Sequence, residues 1–201
     1  MPNPVVASGE RLEAVVLKEK LPSALLKVKT FRDETFLCVR REEIVAVATL
    51  LRDHPELEYK YISDVTCADY SEWDHERDLT ERFEVIYNLY SLKYFSRIFV
   101  KVGVNDGEEV DSVVDVYPGA EYPEREVWDL FGVRFRNHPQ LERFLLPDDW
   151  VGHPLRKEFP LGGEDVVFDK DTRGPAVEDE ASPHAGESFE GRTGSEDVSG
   201  R

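Results

Sequence analysis

Apolar residues recur along the first half of the chain with two different periods. Residues 11–20 and 41–54 place them three and four positions apart, which is the spacing of an amphipathic helix. The second segment ends at His54, before Pro55, and its apolar face would consist of Ile44, Val47, Ala48 and Leu51. The pattern therefore predicts two helices, the first of them stopped near Pro22.

Five other segments have the composition and partial alternation of strands. They are residues 24–31, 35–40, 59–70, 82–93 and 97–105. The three residues between the first two predict a tight hairpin. Later connections are too short for a parallel crossover, except after the second helix. We therefore predict an α+β core domain, residues 1–116, with a mainly antiparallel sheet and helices on one face.

The character of the chain changes after residue 116. The segment PEREVWDLFG predicts a helix with Pro123 at its first position, one apolar face, and an end at Gly132. The apolar residues of that face would be Val127, Leu130 and Phe131. Prolines then recur at 139, 147, 154 and 160, and each removes a backbone donor. Residues 117–161 are therefore predicted to be a helix followed by an extended strap, which we define as residues 133–161.

The last part of the chain, residues 162–201, is acidic and poor in large apolar residues. This composition predicts a tail that is disordered or ordered only by a partner.

Charge and hydropathy exclude several kinds of partner. A formal charge of −17 excludes nucleic acid, which requires a basic footprint, and disfavours anionic lipid. No run of about 18 apolar residues and no signal peptide is visible, so we predict no membrane insertion and no export. Cys38 and Cys67 lie in apolar runs without metal-ligand spacing, which is typical of core residues in a reducing compartment.

Candidate chemistry is weak. His138, His153, Asp148 and Asp149 could gather around a metal, but their spacing fits no metal motif and each histidine precedes a proline. Acid–base catalysis by Glu124, Glu126 or Asp129 competes with the common role of acids at a helix N-terminus. No nucleophile motif or phosphate loop occurs. We therefore predict no catalytic, cofactor-binding or metal-binding residues.

Large rings and arginines instead concentrate in residues 124–160. The rings belong to Trp128, Phe131, Phe135, Phe144, Trp150 and Phe159, and the arginines are Arg125, Arg134, Arg136, Arg143 and Arg156. Aromatic residues and arginine are enriched at the centres of protein interfaces. The strap is therefore predicted to dock on another protein, with its arginines bound to partner carboxylates. The alternative is a strap folded back onto its own domain.

These residues closely resemble the signature region of the C subunit, or thirty-kilodalton subunit, of proton-pumping NADH:quinone oxidoreductase, respiratory complex I. The matching positions are Glu124, Arg125, Glu126, Asp129, Leu130, Phe131, His138, Pro139, Arg143, Gly152, His153, Pro154, Leu155 and Arg156. The resemblance covers roughly residues 28–161. The departures are Tyr122, where an indole is common, and Gln140, where an acid is usual.

The resemblance implies a peripheral-arm subunit that binds no redox cofactor itself, at the cytoplasmic face of the cell membrane. NADH, flavin, iron–sulfur clusters and quinone would be bound by other subunits of the complex. The strap would wrap the D subunit, near the quinone site, with the B and I subunits as further partners. The docking residues would be Glu124, Arg125, Glu126, Trp128, Asp129, Phe131, His138, Pro139, Arg143, Trp150, Gly152, His153, Pro154, Leu155, Arg156 and Lys157.

Two alternatives stay open at this point. Relatives of this subunit occur in hydrogenase-like and photosynthetic NDH complexes, whose electron donor is not NADH. A free-standing hydrolase using Glu126, Asp129 and His138 is the rival from a different functional class.

Overall fold

The computed structural model describes residues 10–32 and 34–159. The three helices are α1 (Leu12–Lys20), α2 (Ile44–Asp53) and α3 (Glu121–Phe131), and the seven strands of this part of the chain are β1 (Leu25–Phe31), β2 (Glu34–Val39), β3 (Tyr61–Asp69), β4 (Phe83–Ser91), β5 (Ser96–Val104), β6 (Glu109–Asp111) and β7 (Arg134–Arg136). Short 3₁₀ turns precede α2 and α3. The predicted tail, residues 162–201, lies outside the described residues.

The main sheet has the strand order β1-β2-β5-β4-β3. All its neighbours pair antiparallel except β2 and β5, which pair in parallel. Helix α2 connects β2 to β3 at the far edge of the sheet, and the chain returns through β4 to β5. The predicted α+β class, the mainly antiparallel sheet and the one crossover after the second helix are confirmed. Cys38 and Cys67 are free and buried on β2 and β3, as predicted for core residues.

The register gives the sheet two different ends. At one end, which we call the strap edge, Asp69, Phe83 and Val104 lie side by side. At the other, which we call the turn edge, lie the β1–β2 turn, the β4–β5 turn and the first residue of β3, Tyr61. Because β4 and β5 are nine residues long, roughly 30 Å separates the two edges.

Burial follows the alternation expected of a sheet with one covered face. On β4 the side chains of Phe83, Val85, Tyr87 and Leu89 are buried, whereas those of Ile86, Asn88 and Tyr90 are only partly buried. The covering face of α2 consists of the four residues that its spacing predicted, all buried. The apolar core therefore lies between the helices and this face of the sheet.

Three details differ from the sequence prediction. Helix α3 begins at Glu121, so Pro123 is its third residue and not its first. The first four N–H groups of a helix have no intrahelical acceptor, so proline at the third position removes no bond. Residues 134–136 of the strap form β7, which pairs in parallel with β6.

The third difference concerns the boundary at residue 116. The hydroxyl of Tyr117 is buried and donates to the carbonyl of Tyr59 over 2.6 Å. The next turn also packs on the sheet, since a Cβ at Gly119 would lie 3.2 Å from the side chain of Ile62. Residue 116 therefore marks no break in packing, because the segment that follows it shares the core of the α+β domain.

Candidate docking site

The buried carboxylate of Asp129 holds the strap against α3. One of its oxygens accepts from the backbone N–H groups of Phe144, Leu145 and Leu146 at 3.2, 3.0 and 3.0 Å. The other accepts from Arg143 Nη1 at 2.7 Å. Burial disfavours the charged form, but these four donors outweigh it and lower the pKa of Asp129 below its ordinary value. The donors of strap residues 143–146 thus surround the buried carboxylate of Asp129.

Two arginines fix the same turn of the strap from either side. Arg143 also donates to the carbonyl of Trp150 at 3.0 Å, and its guanidinium lies 5.8 Å from the centre of the Trp128 ring. Arg125, on α3, donates to the carbonyls of Glu142 and Arg143 at 3.1 and 3.0 Å. Both side chains therefore bind their own chain.

The later part of the strap caps the C-terminal end of α3. The last carbonyls of a helix lack intrahelical donors. Here His153 Nδ1 lies 2.9 Å from the carbonyl oxygen of Asp129. The N–H of Leu155 donates to the carbonyl of Leu130 at 3.1 Å, and Arg156 Nε donates to the carbonyl of Phe131 at 2.6 Å. The strap therefore replaces the water that would otherwise satisfy this helix end.

Gly132 allows this close approach. Gly132 ends α3, as the sequence predicted, and its φ of 79° is left-handed. A Cβ at this position would lie 2.6 Å from the ring of His153 and 2.7 Å from Arg156 Nη2. Only glycine leaves room for both side chains here.

Beyond α3 the strap is bound to the strap edge of the sheet. Arg156 binds Asp106 through two hydrogen bonds of 3.1 and 2.9 Å. The N–H of Lys157 donates to Asp69 at 3.0 Å, and Arg82 binds both oxygens of Asp69 at 3.1 and 2.8 Å. Burial opposes the charge of Asp69, but these bonds outweigh it, so its pKa is lowered.

Both histidines of the strap have structural partners. His138 Nδ1 accepts from the N–H of Gln140 at 3.1 Å, so Nε2 carries the proton and donates to the carbonyl of Glu121 at 3.0 Å. His153 is occupied at the end of α3. Within residues 10–32 and 34–159, no three His, Cys, Asp or Glu side chains are grouped so that they could hold a metal ion.

Glu124 is the second buried acid of α3. It accepts from Ser112 Oγ at 2.6 Å and from the N–H of Val113 at 2.9 Å. Burial raises the pKa of Glu124 to about 7, although both hydrogen bonds act to lower it. Unlike Asp129, Glu124 has no cation among its bonded partners. The carboxyl group of Glu124 therefore changes charge near neutral pH.

The structure therefore unites most of the predicted docking residues in one arrangement, but with an inward role. Arg125, Arg143 and Arg156 bind carbonyls and carboxylates of α3, the strap and the β5–β6 loop within this chain. That they bind carboxylates of a partner stays a prediction. Only part of the predicted set faces solvent, namely Glu126, Pro139, Gly152, Leu155 and Lys157.

Sequence reasoning missed the residues that hold α3 and the strap from the rest of the domain: Ser112 binds Glu124 of α3, and Asp69, Arg82 and Asp106 bind the strap. Nothing in the local pattern marks them, because Asp69 and Lys157 are 88 residues apart and Asp106 and Arg156 are 50 apart. The folded strap and α3 also leave five large apolar side chains exposed; sequence reasoning named Phe144 and Leu155 for docking but missed Tyr122, Leu145 and Val151.

Comparison with known proteins gives consistent results. Residues 37–165 match the family model described as "Respiratory-chain NADH dehydrogenase, 30 Kd subunit". The chain is 45% identical to the C subunit of NADH-quinone oxidoreductase from Geotalea uraniireducens (strain Rf4) over 159 residues, 78% of this chain and 92% of that protein. It is 46% identical to the corresponding protein of Roseiflexus sp. (strain RS-1) over 153 residues, 76% of this chain and 84% of that protein.

A solved structure resembles the fold. It is the trypsin-resistant fragment (1–134) of Nqo5 in a P63 crystal form, with a TM-score of 0.52 and 27% sequence identity. The match covers 65% of this chain and 98% of that fragment.

Replacing Asp129 by Asn should release the strap. The amide keeps one acceptor oxygen but turns N–H donors toward Arg143, whose charge then lacks its partner. We expect the free energy of unfolding at pH 7 to fall by about 3–5 kcal/mol in urea titrations. Glu126→Gln, on the exposed side of the same helix, should change it by no more than about 0.5 kcal/mol. Equal stability of the two variants would contradict the role given to Asp129.

Glu124→Gln should remove a pH dependence. An unfolded glutamate ionises near pH 4.5, whereas folded Glu124 keeps its proton to about pH 7, so wild-type stability from this group falls as pH rises through that window. The variant does not titrate there. The unfolding free energy of the variant, relative to that of the wild type, should therefore rise by about 3 kcal/mol between pH 4.5 and pH 7.5. Glu126→Gln should run parallel to the wild type, and parallel curves for Glu124→Gln would refute the assignment.

Proposed function

The chain belongs to the family of the 30 kDa subunit of respiratory-chain NADH dehydrogenase, and we propose that it is a structural and assembly subunit of a proton-translocating NADH:quinone oxidoreductase. The two relatives described above are C subunits of NADH-quinone oxidoreductases, which supports membership of such a complex. The chain itself carries out no chemistry in this proposal, and the cofactors and quinone are bound by other subunits.

One observation carries the proposal: Arg125, Arg143 and Arg156 are bound within the chain, while large apolar side chains of α3 and the strap stay exposed. Tyr122, Phe144 and Leu145 are 56, 44 and 51% exposed, and Arg125 lies between the two rings, 5.5 and 5.6 Å from their centres. Burial of the polar backbone against α3 fixes these side chains in place, so little conformational entropy remains to be lost on binding. A preformed apolar surface of this kind fits docking better than catalysis.

We assign the D subunit as the partner that covers this outward surface, with the B and I subunits as further neighbours. The assignment extends the family relationship, and the near-neutral charge of residues 124–160 supports it, since an acidic partner would not be repelled there. The chain would then lie at the cytoplasmic face of the cell membrane as a peripheral part of the complex. No helix among the described residues has the length and apolar character needed to span a membrane.

The hydrolase alternative is less well supported by the geometry. Asp129 is fully buried, and both of its oxygens are bound by donors of the strap. His138 is held at both ring nitrogens. Neither group is available to a substrate. The relatives named as NADH-quinone oxidoreductase subunits also favour this complex over the hydrogenase-like and photosynthetic ones.

The docking surface can be tested with Phe144→Ser/Leu145→Ser in the full chain. The backbone N–H groups that bind Asp129 remain, so the melting temperature should stay close to that of the wild type. Affinity for the purified D subunit of the same organism, measured by calorimetry, should fall roughly tenfold or more because two large apolar side chains are lost.

Trp73→Ser is the matched control, because Trp73 is 53% exposed and belongs to the β3–β4 loop, not to α3 or the strap. It should bind like the wild type. Unchanged affinity of the double variant would contradict the proposed surface, and an equal loss in the control would show that the effect is not specific to it.

A further inference from the structure

Asp106 is the one aspartate of the chain that is followed directly by a glycine. The pair Asp106–Gly107 lies between β5 and β6, beside the strap edge, and both residues are exposed. The N–H of Glu108 donates to the carbonyl of Asn105 at 3.0 Å and closes a turn around the pair. The side chain of Asp106 is 52% exposed, so water reaches its carboxylate.

Gly107 leaves the backbone nitrogen after Asp106 unobstructed. Its φ is 80°, which glycine adopts without strain. A Cβ built at this position would have no neighbour within 4 Å among the described residues. Any other residue would place a side chain beside this nitrogen. The pair therefore has the composition and the open surroundings in which an aspartate side chain can cyclise onto the main chain.

This cyclisation is a loss of water followed by its return. The nitrogen of Gly107 forms a bond to Cγ of Asp106, and one carboxylate oxygen leaves as water with the amide proton and a proton from solvent. The product is a cyclic imide. Water then opens either carbonyl of the ring. Opening at Cγ restores aspartate, whereas opening at the main-chain carbonyl gives isoaspartate, in which the main chain runs through Cβ and Cγ.

The strap opposes the first step. Arg156 binds both oxygens of Asp106, with hydrogen bonds of 3.1 Å from Nη1 and 2.9 Å from Nη2. A two-point contact with a planar guanidinium fixes the orientation of a carboxylate. The guanidinium of Arg82 lies 3.7 Å from the same group. Because one oxygen has to depart as water, Arg156 must release it before the ring can form.

Isoaspartate breaks the contact that opposed its formation. The product has one more methylene in the main chain of the turn, and its carboxylate is attached directly to Cα. This group cannot take the position of the Asp106 carboxylate against Arg156. Arg156 then keeps its bond to the carbonyl of Phe131 but loses its link to the β5–β6 turn. The strap is therefore held less firmly at the strap edge, where the N–H of Lys157 binds Asp69.

We propose that Asp106–Gly107 is a site of spontaneous covalent modification, which isomerises to isoaspartate when the strap opens and which Arg156 protects while the strap is closed. The modification makes a transient opening of the strap at this edge a lasting one. It involves this chain and water alone, so it does not depend on the proposed function.

Ageing of the isolated full chain tests the site. The protein is kept at neutral pH and body temperature for several weeks and digested, and isoaspartate is located by mass spectrometry with electron-transfer fragmentation. We expect isoaspartate at position 106 and none at Asp64, which is also exposed but precedes a valine. Asp106→Glu keeps the charge but cyclises far more slowly, and should stay unmodified. Absence of isoaspartate at position 106 from the aged wild type and from aged Arg156→Ala would overturn the proposal.

Two measurements test the protection by Arg156. Isoaspartate should accumulate roughly threefold or more faster in Arg156→Ala than in the wild type, because the ion pair is lost. Arg134→Ala removes an exposed arginine of β7 and should age like the wild type. Concentrated sodium chloride screens the pair without any substitution, and should speed the reaction in the folded wild type relative to a peptide of residues 102–110 in the same salt.

The salt series separates protection by Arg156 from a general loss of structure. A lowered melting temperature of Arg156→Ala would leave the decision to the wild-type chain, whose fold in salt is followed by circular dichroism. A rate that rises with salt while the fold is retained supports the protection. Equal rates in the wild type and in folded Arg156→Ala, or a wild-type rate that does not respond to salt, would refute it.

Discussion

A carboxylate removed from water must be surrounded by donors, and Asp129 obtains all four of its donors from the strap. The helix alone could not bury this side chain, because an unpaired charge in the core costs several kcal/mol. The strap alone could not fold, because its prolines prevent a regular ladder of hydrogen bonds. Each supplies what the other lacks, and burial of Val127 and Phe131 beside Asp129 adds the apolar part of the interaction.

The position of the rest of the strap follows from this contact. Once residues 143–146 are held at Asp129, the chain continues to the end of the helix, where His153, Leu155 and Arg156 satisfy its last carbonyls. It then reaches the strap edge at Asp69. Asp129, Arg143 and Arg156 are bound along this inner path, whereas Phe144, Leu145, Val151 and Leu155 are left exposed among polar side chains of the outer surface. In the proposed function, these exposed side chains are the ones that dock on a neighbour.

Periodicity was enough to predict what depends on local spacing. Helix α2, the hairpin of β1 and β2, and the end of α3 at Gly132 were all predicted correctly, because each rests on residues within a few positions of one another. Pro123 misled the start of α3, since proline is tolerated throughout the first turn. The sequence pattern also could not predict which groups the arginines bind. Arginines among aromatic residues look the same whether the acceptor belongs to a partner or to Asp106, 50 residues away in the same chain.

The central claim is that the strap is ordered by its own helix, before any partner binds. Hydrogen–deuterium exchange of the isolated full chain tests it at single residues, read by NMR at the amides of Phe144, Leu145 and Leu146. If Asp129 holds these three N–H groups, they should exchange at least about a hundredfold more slowly than in an unstructured peptide, because each exchange event requires the strap to open. The amide of Asp74, which lies in an exposed loop, serves as the unprotected reference. Exchange of all three strap amides at the rate of an unstructured peptide would show that a partner orders the strap, and would contradict the account.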